Sequence, residues 1–305
     1  MKLYAPAYYK NFTCIAGQCR HSCCIGWEID VDDTTMQIYD SLTEGYGNAI
    51  QDSISKDPTP HFRLCADDSC PHLDEQGLCR IITNLGEGYL CHICREHPRF
   101  YNDTNRGAEV GLGMACEEAC RLILTSDDYA NIMEIGEMEG GFEESNFDPL
   151  PYREQIYALL SDHSISYTER LHRLGKTYGV DPINRPDDEW QALLMSLEYL
   201  YDDHKAAFAV FSSNLTTPSA WEAYLERALA YFIYRHLPSA WDKDDLCAAV
   251  GFALFCERLI ASIVRAEEVC DLESFIEIAR VVSEELEYSE DNTDAIKIAF
   301  SPTAD

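Results

Sequence analysis

Cations are scarce in this sequence. Its 305 residues hold 23 lysines and arginines against 54 aspartates and glutamates, a formal net charge of −31. Binding to phosphate backbones rests on Lys and Arg, and attraction to anionic bilayers does too. Nucleic acid and membrane surfaces are therefore excluded as partners, and a basic or lysine-bearing partner is favoured. The same acidity also keeps a protein soluble. A clean apolar run is missing as well. The most apolar stretch, Leu246 to Val264, carries Glu257 and Arg258 inside it. A membrane span needs about 18 or more apolar residues, and charges within it are costly, so this stretch reads as a buried helix. Met1 to Phe12 is tyrosine-rich and lacks the apolar core, roughly seven residues or longer, of a secretory signal. The cytoplasm is the expected location. A nucleotide-binding glycine fingerprint is absent: Gly111-x-Gly113 has no third glycine and reads as a turn before a helix at Met114. No internal repeat is present.

Cysteine is what the sequence has in excess. There are 14, and all but Cys247, Cys256 and Cys270 lie before residue 121. In a reducing compartment they are expected to be ligands or buried thiols rather than disulfides. The first group is Cys14-x4-Cys19-x3-Cys23-Cys24. The second is Cys65-x4-Cys70-x8-Cys79-x11-Cys91-x2-Cys94, and Cys116-x3-Cys120 closes the series at helical i, i+4 spacing. Thiolates are soft ligands that select zinc, copper(I) or iron–sulfur clusters, and short spacings reduce the chain entropy lost in gathering them. Cys14, Cys19, Cys23, Cys24, Cys70, Cys79, Cys91 and Cys94 are the candidate metal ligands. Structural zinc favours two CxxC-like pairs, whereas only Cys91-x2-Cys94 is clean here. The irregular spacing favours an iron–sulfur cluster, of the 4Fe–4S kind that needs four thiolates from any positions, with zinc as the alternative. The spare cysteines leave room for two centres. His21, His61, His72, His92 and His97 lie near the thiols and read as solvated or supporting groups rather than ligands. Cys247, Cys256 and Cys270 read as core thiols.

The fold expected is mostly α, in three parts: a cysteine-rich region 1–125 of irregular, partly helical structure, an α-helical bundle 126–288, and a polar tail 289–305 that frays. Loop-rich texture in the first part calls for order from a bound metal. Helices are expected over Asp33–Leu42 and over Met114–Leu124, the latter carrying Cys116 and Cys120. Ser166 and Glu169 form a capping-box pair, and 175–188 reads as a linker. Helical spacing continues from Trp190 to Phe211. Thr217-Pro218 opens a helix, Asp244 and Asp245 open another, and Leu272–Glu287 gives a further one.

Four blocks carry a resemblance. They are Tyr8-Tyr9-Lys10-Asn11-Phe12-Thr13-Cys14 continuing to Gly26-Trp27 and Asp30, then Cys70-Pro71-His72-Leu73-Asp74 with Gly77 to Ile81. Leu90-Cys91 with Cys94-Arg95 and Pro98 to Asn102 is the third, and Cys116 to Leu122 the fourth. Together they resemble the flagellin lysine-N-methylase family over roughly residues 4–125. Arg121 stands where that family often has proline. The first blocks also resemble a broader family of zinc- or iron-chelating cysteine-cluster proteins. The narrower resemblance implies methyl transfer from S-adenosylmethionine to lysine side chains of flagellin by an iron–sulfur-containing enzyme. The broader one implies a non-catalytic metal-binding protein. No CxxxCxxC string of radical chemistry is present, since Cys19-x3-Cys23-Cys24 lacks the last spacing. Trp27 reads as a tryptophan packed beside the centre, and Arg95 and Arg99 as local ion-pair partners. No catalytic or cofactor-binding residue can be chosen from the many acids and tyrosines.

Overall fold

A computed structural model describes residues 1–141 and 146–301. The fold is mostly α, with thirteen α-helices among the described residues. The chain forms two compact units. One consists of Thr13–Arg99 with Cys116–Glu118; the other consists of Met1–Phe12, Phe100–Ala115 and the chain from Ala119 on. This partition differs from a simple cut near residue 125, because strand pairing draws both ends of the cysteine-rich segment into the helical unit.

The cysteine unit has a small antiparallel sheet in the order Ile29–Asp30, His61–Phe62, Ile54–Ser55. The helix Asp33–Ser41 starts where expected, because the Asp32 carboxylate accepts a bond from the Thr35 N–H at 3.0 Å. A second helix is Tyr46–Ser53. Their apolar faces meet Ile29, Val31, Ile54, Phe62 and Ile81, and Cys70 and Cys91 complete that core.

In the helical unit, four strands pair in the order Arg99–Thr104, Gly107–Leu112, Lys2–Pro6, Ile132–Glu137. Lys2–Pro6 runs parallel to Gly107–Leu112 and antiparallel to Ile132–Glu137. All six residues of Gly107–Leu112 are buried, as a strand covered on both faces requires. Gly111 is therefore in a strand, not a turn. A Cβ there would lie 2.2 Å from the Phe100 ring, so glycine is what lets that ring approach.

The long helix Lys243–Ala266 packs against Glu222–His236, Leu272–Glu287, Glu290–Ile298 and Tyr167–Tyr178. It is the one helix among the described residues long and apolar enough to cross a membrane, and it is mostly buried within the fold. Its internal Glu257 is fully buried and accepts from the Tyr167 hydroxyl at 3.0 Å. Burial raises the pKa of this carboxyl.

Four further sequence expectations shift. The span Trp190–Phe211 is two helices, Asp187–Ser196 and Asp202–Phe208. Between them, the Asn292 side chain takes the N–H and C=O of Glu198, and the Glu285 carboxylate takes the N–H groups of Leu200 and Tyr201. Those partners end the helix although apolar spacing continues. The expected polar tail holds the helix Glu290–Ile298, capped by Ser289 and anchored by buried Asn292 and Ile296; residues 302–305 lie outside the described residues. The helix after Met114 begins at Glu117, so Cys116 precedes it. The 175–188 linker is shorter, since the helix Tyr167–Tyr178 runs into it and ends at left-handed Gly179 (φ 72°). The helix Leu272–Glu287 and the Ser166 cap stand as expected.

Candidate metal centre

Every cysteine before residue 120 falls in the cysteine unit. Backbone bonds gather several of them. The Cys70 N–H donates to the Cys24 carbonyl at 2.7 Å, and the Arg80 N–H donates to the His72 carbonyl at 2.7 Å. Bridges at Ile25–Ser69 and Leu73–Cys79 run alongside. Cys24, Cys70 and Cys79 thus come together from distant positions. Cys79 precedes the first residue of the helix Arg80–Leu85.

Cys91 and Cys94 bracket the first turn of the helix His92–Glu96. Their sulfurs lie 3.3 Å apart. The Asp32 carboxylate accepts the His92 N–H at 2.8 Å, and the Tyr39 hydroxyl donates to the Tyr89 carbonyl at 2.6 Å. These two bonds fix the helix against the core. Cys24, Cys79 and Cys94 pack, half-buried, on the same core that buries Cys70 and Cys91. The five make one inner thiol group.

Burial pushes the Cys70 thiol up to about 12 and raises Cys79. The shared S–H between Cys94 and Cys91 lowers Cys91, and an S–H bond from Cys23 brings Cys24 down to about 7. A metal bound there would displace the thiol protons.

An outer group lies nearer solvent. The Arg20 N–H and Nε donate to the two Glu117 oxygens at 2.8 and 2.9 Å. That clamp brings Cys116 beside Cys19 and Cys23, with Cys14 also near Cys23. The Cys19 S–H donates to the His21 carbonyl at 3.1 Å, and the Cys14 sulfur accepts the Ala16 N–H at 3.4 Å. Spacing alone paired Cys116 with Cys120; the structure separates them. Cys120 is buried in the helical unit, where its S–H donates to the Ile276 carbonyl at 3.4 Å. Cys65 is exposed. The sequence signal for this split is Glu117-Glu118, which belongs to a helix start rather than mid-helix.

The histidines behave as supporting groups. His72 is buried, with Nδ1 on the Tyr46 hydroxyl and Nε2 on the Ser53 hydroxyl, both at 2.9 Å. Burial, with Arg80 nearby, brings it down to about 4. His61 bonds the Thr59 carbonyl at 2.8 Å and meets Glu28 at 3.4 Å. Burial brings His97 to about 4 as well. Trp27 is half-buried; its Nε1–H donates to the Cys23 carbonyl at 2.8 Å, and its ring lies 6.5 Å from that of His97. Arg95 meets Glu96 at 3.9 Å, and Arg99 donates to the Arg95 carbonyl at 3.3 Å. Of the distal cysteines, Cys256 is a core thiol, Cys247 is half-buried and Cys270 is exposed, so the core reading holds fully only for Cys256.

Among the described residues, no three His, Cys, Asp or Glu side chains converge closely enough to hold a single ion. A four-iron cluster spreads its four thiolates around a larger core than one ion does. The inner donor set is all sulfur, which fits such a group in kind.

Three relatives resemble this chain. Lysine-N-methylases of Salmonella choleraesuis and Salmonella typhimurium are each 32% identical over 176 residues, covering 54% of this chain and 43% of theirs. A flagellar biosynthetic protein FliU of Salmonella muenchen is 33% identical over 139 residues, covering 43% of this chain and 80% of its own. The chain belongs to the flagellin lysine-N-methylase family that these proteins represent. It spans less than half the length of the lysine-N-methylases it matches. No family model and no solved structure matches it.

Proposed function

We propose that this protein methylates lysine side chains of flagellin, using S-adenosylmethionine and carrying an iron–sulfur centre of the 4Fe–4S kind. The observation that carries the reading is the likeness to proteins named lysine-N-methylase and FliU. The thiol-rich unit is consistent with it. Cys24, Cys70, Cys79, Cys91 and Cys94 are the residues that would hold the cluster. Of the eight cysteines singled out from spacing, Cys14, Cys19 and Cys23 fall in the outer group.

The chemistry asked of the chain is a displacement. The ε-ammonium first gives its proton to a carboxylate or water. The amine lone pair then forms the N–C bond while the C–S bond breaks, and that electron pair returns to sulfur, leaving S-adenosylhomocysteine. The chain must aim the amine and exclude water, and its acidic surface favours the approach of a lysine-bearing partner. The cluster, when bound, would supply order to the unit and a redox-active iron site.

The test is anaerobic purification followed by iron, sulfide and zinc analysis, then transfer of a methyl label to flagellin. About four irons with matching sulfide per chain, together with labelled flagellin lysines, is the expected result. Intact cluster with no label on flagellin would sink the methylase reading. Zinc without sulfide would replace the cluster with a structural zinc site.

A further inference from the structure

We propose that a cleft in the helical unit binds the amino-acid end of S-adenosylmethionine, an inference that rests on the methylase reading. The cleft has a volume of about 730 Å3, within the range of small-molecule sites, roughly 300 to 1,000 Å3. It lies between the start of the helix Tyr167–Tyr178 and the first turns of the helix Glu222–His236.

Its lining holds one anomaly. Arg170 is only 5% exposed, and its Nη1 is engaged by the Leu160 carbonyl and the Glu226 carboxylate. Its Nε is buried without a hydrogen-bond partner. Buried donors are nearly always paired, because an orphaned one costs about 1–3 kcal/mol and more when charged. A ligand carboxylate in the cleft would satisfy it. The helix Tyr167–Tyr178 also begins here, with the Ser166 hydroxyl accepting the Glu169 N–H at 3.2 Å. Its N-terminal turn adds partial positive charge to the same pole.

The same cleft also carries carboxylates. Glu222, in the first turn of its helix, makes no ion pair among the described residues. Glu226 is already shared by Arg170, by the Tyr129 hydroxyl at 2.8 Å and by His163 at 3.3 Å. A plain anion would meet these carboxylates, and a plain cation would meet Arg170 and Arg227. A ligand with one charge of each sign would suit both kinds of group, its carboxylate on Arg170 and its ammonium on Glu222. That is the head of an α-amino acid. It fills only part of the volume, which leaves room for the adenosyl substituent.

The test is calorimetric binding of S-adenosylhomocysteine and of free methionine to the whole chain purified anaerobically. Three proteins are compared: the wild type, Glu222→Gln at the rim, and Arg170→Lys, which keeps the charge but removes the Nε donor. The expected result is a rise in Kd for S-adenosylhomocysteine of tenfold or more in both variants, with methionine much weaker than S-adenosylhomocysteine. If Arg170→Lys unfolds, Glu222→Gln alone decides. Unchanged Kd in the variants overturns the cleft, and a wild type that still labels flagellin then leaves the methylase reading standing. Methionine binding as tightly as S-adenosylhomocysteine reassigns the cleft to a free amino acid. A wild type that binds S-adenosylhomocysteine nowhere overturns the proposal.

Discussion

The two units differ in how much apolar side chain fills their cores. Of the twelve largest fully buried side chains, only Tyr39, Phe62 and Ile29 belong to the cysteine unit; the rest fill the helical one. The helical unit has a continuous apolar core around Lys243–Ala266, so burial of roughly 1.5–3 kcal/mol per large side chain offsets its ordering entropy. In the cysteine unit the core is small and thiols take places that leucine would take elsewhere. The proposed metal would supply the missing order there, because the free energy of binding becomes free energy of folding. The contrast teaches where each kind of damage should be felt.

The largest expected effect is metal removal. Chelation under anaerobic conditions, or Cys91→Ser, should release the cysteine unit and spare the helical one. Amide exchange measures this directly. Protection should fall across Ile29–Asp30 and His61–Phe62 and persist across Glu222–His236 and Lys243–Ala266. Equal protection with and without metal would break the contrast and make the thiols ordinary core residues.

Phe252→Ala tests the other half. Phe252 is fully buried, with its ring 4.6 Å from that of His236 and 6.1 Å from that of Phe232. Its truncation should lower stability by about 3–5 kcal/mol, read as a denaturant midpoint of the helical unit at unchanged iron content. A comparable loss of iron would mean the two units are energetically one.

Gly111→Ala should cost about 1–3 kcal/mol, since the new Cβ would overlap the Phe100 ring. Ring displacement is the alternative to strain; a change in Phe100 ring shifts by NMR would report it. This residue marks the limit of what the sequence discloses. Periodicity read the long helices well, because a helix that buries one face writes that face at 3.6-residue spacing. Leu272–Glu287 was legible for that reason, and Leu246–Val264 from its long apolar run interrupted by Glu257 and Arg258. Gly111, the break at 197–201 and the anchored helix Glu290–Ile298 were not. Each depends on a partner in another element: the Phe100 ring, Glu285, and Asn292 on Glu198. The thiols divide in the same way. Cys91-x2-Cys94 is local and visible, whereas the meeting of Cys24, Cys70 and Cys79 rests on strand-like bridges that no spacing rule encodes.

The smallest effect sits at Asp32, where the cysteine unit has an ordinary cap beside its unusual core. Partial burial pushes this carboxyl upward, but bonds from the His92 N–H, the Thr35 N–H and the Thr35 hydroxyl outweigh it and hold it at about 2. An unfolded aspartate titrates near about 3.9. The folded value is the lower one, so the carboxylate's contribution is fully present above that unfolded value and is lost as pH falls through about 2. Asp32→Ala should lower stability by about 1 kcal/mol as a lost N-cap. It should also loosen the helix that carries Cys91 and Cys94, since the His92 N–H loses its acceptor. Asp32→Asn keeps an acceptor and removes only the charge. Amide protection at Thr35 and His92 should therefore differ between wild type and Asp32→Asn near pH 5 and converge toward pH 2. Protection lost at Thr35 but retained at His92 in Asp32→Ala would show that metal binding, not this carboxylate, seats the Cys91–Cys94 turn. The helix start at Asp33 would then be independent of the centre.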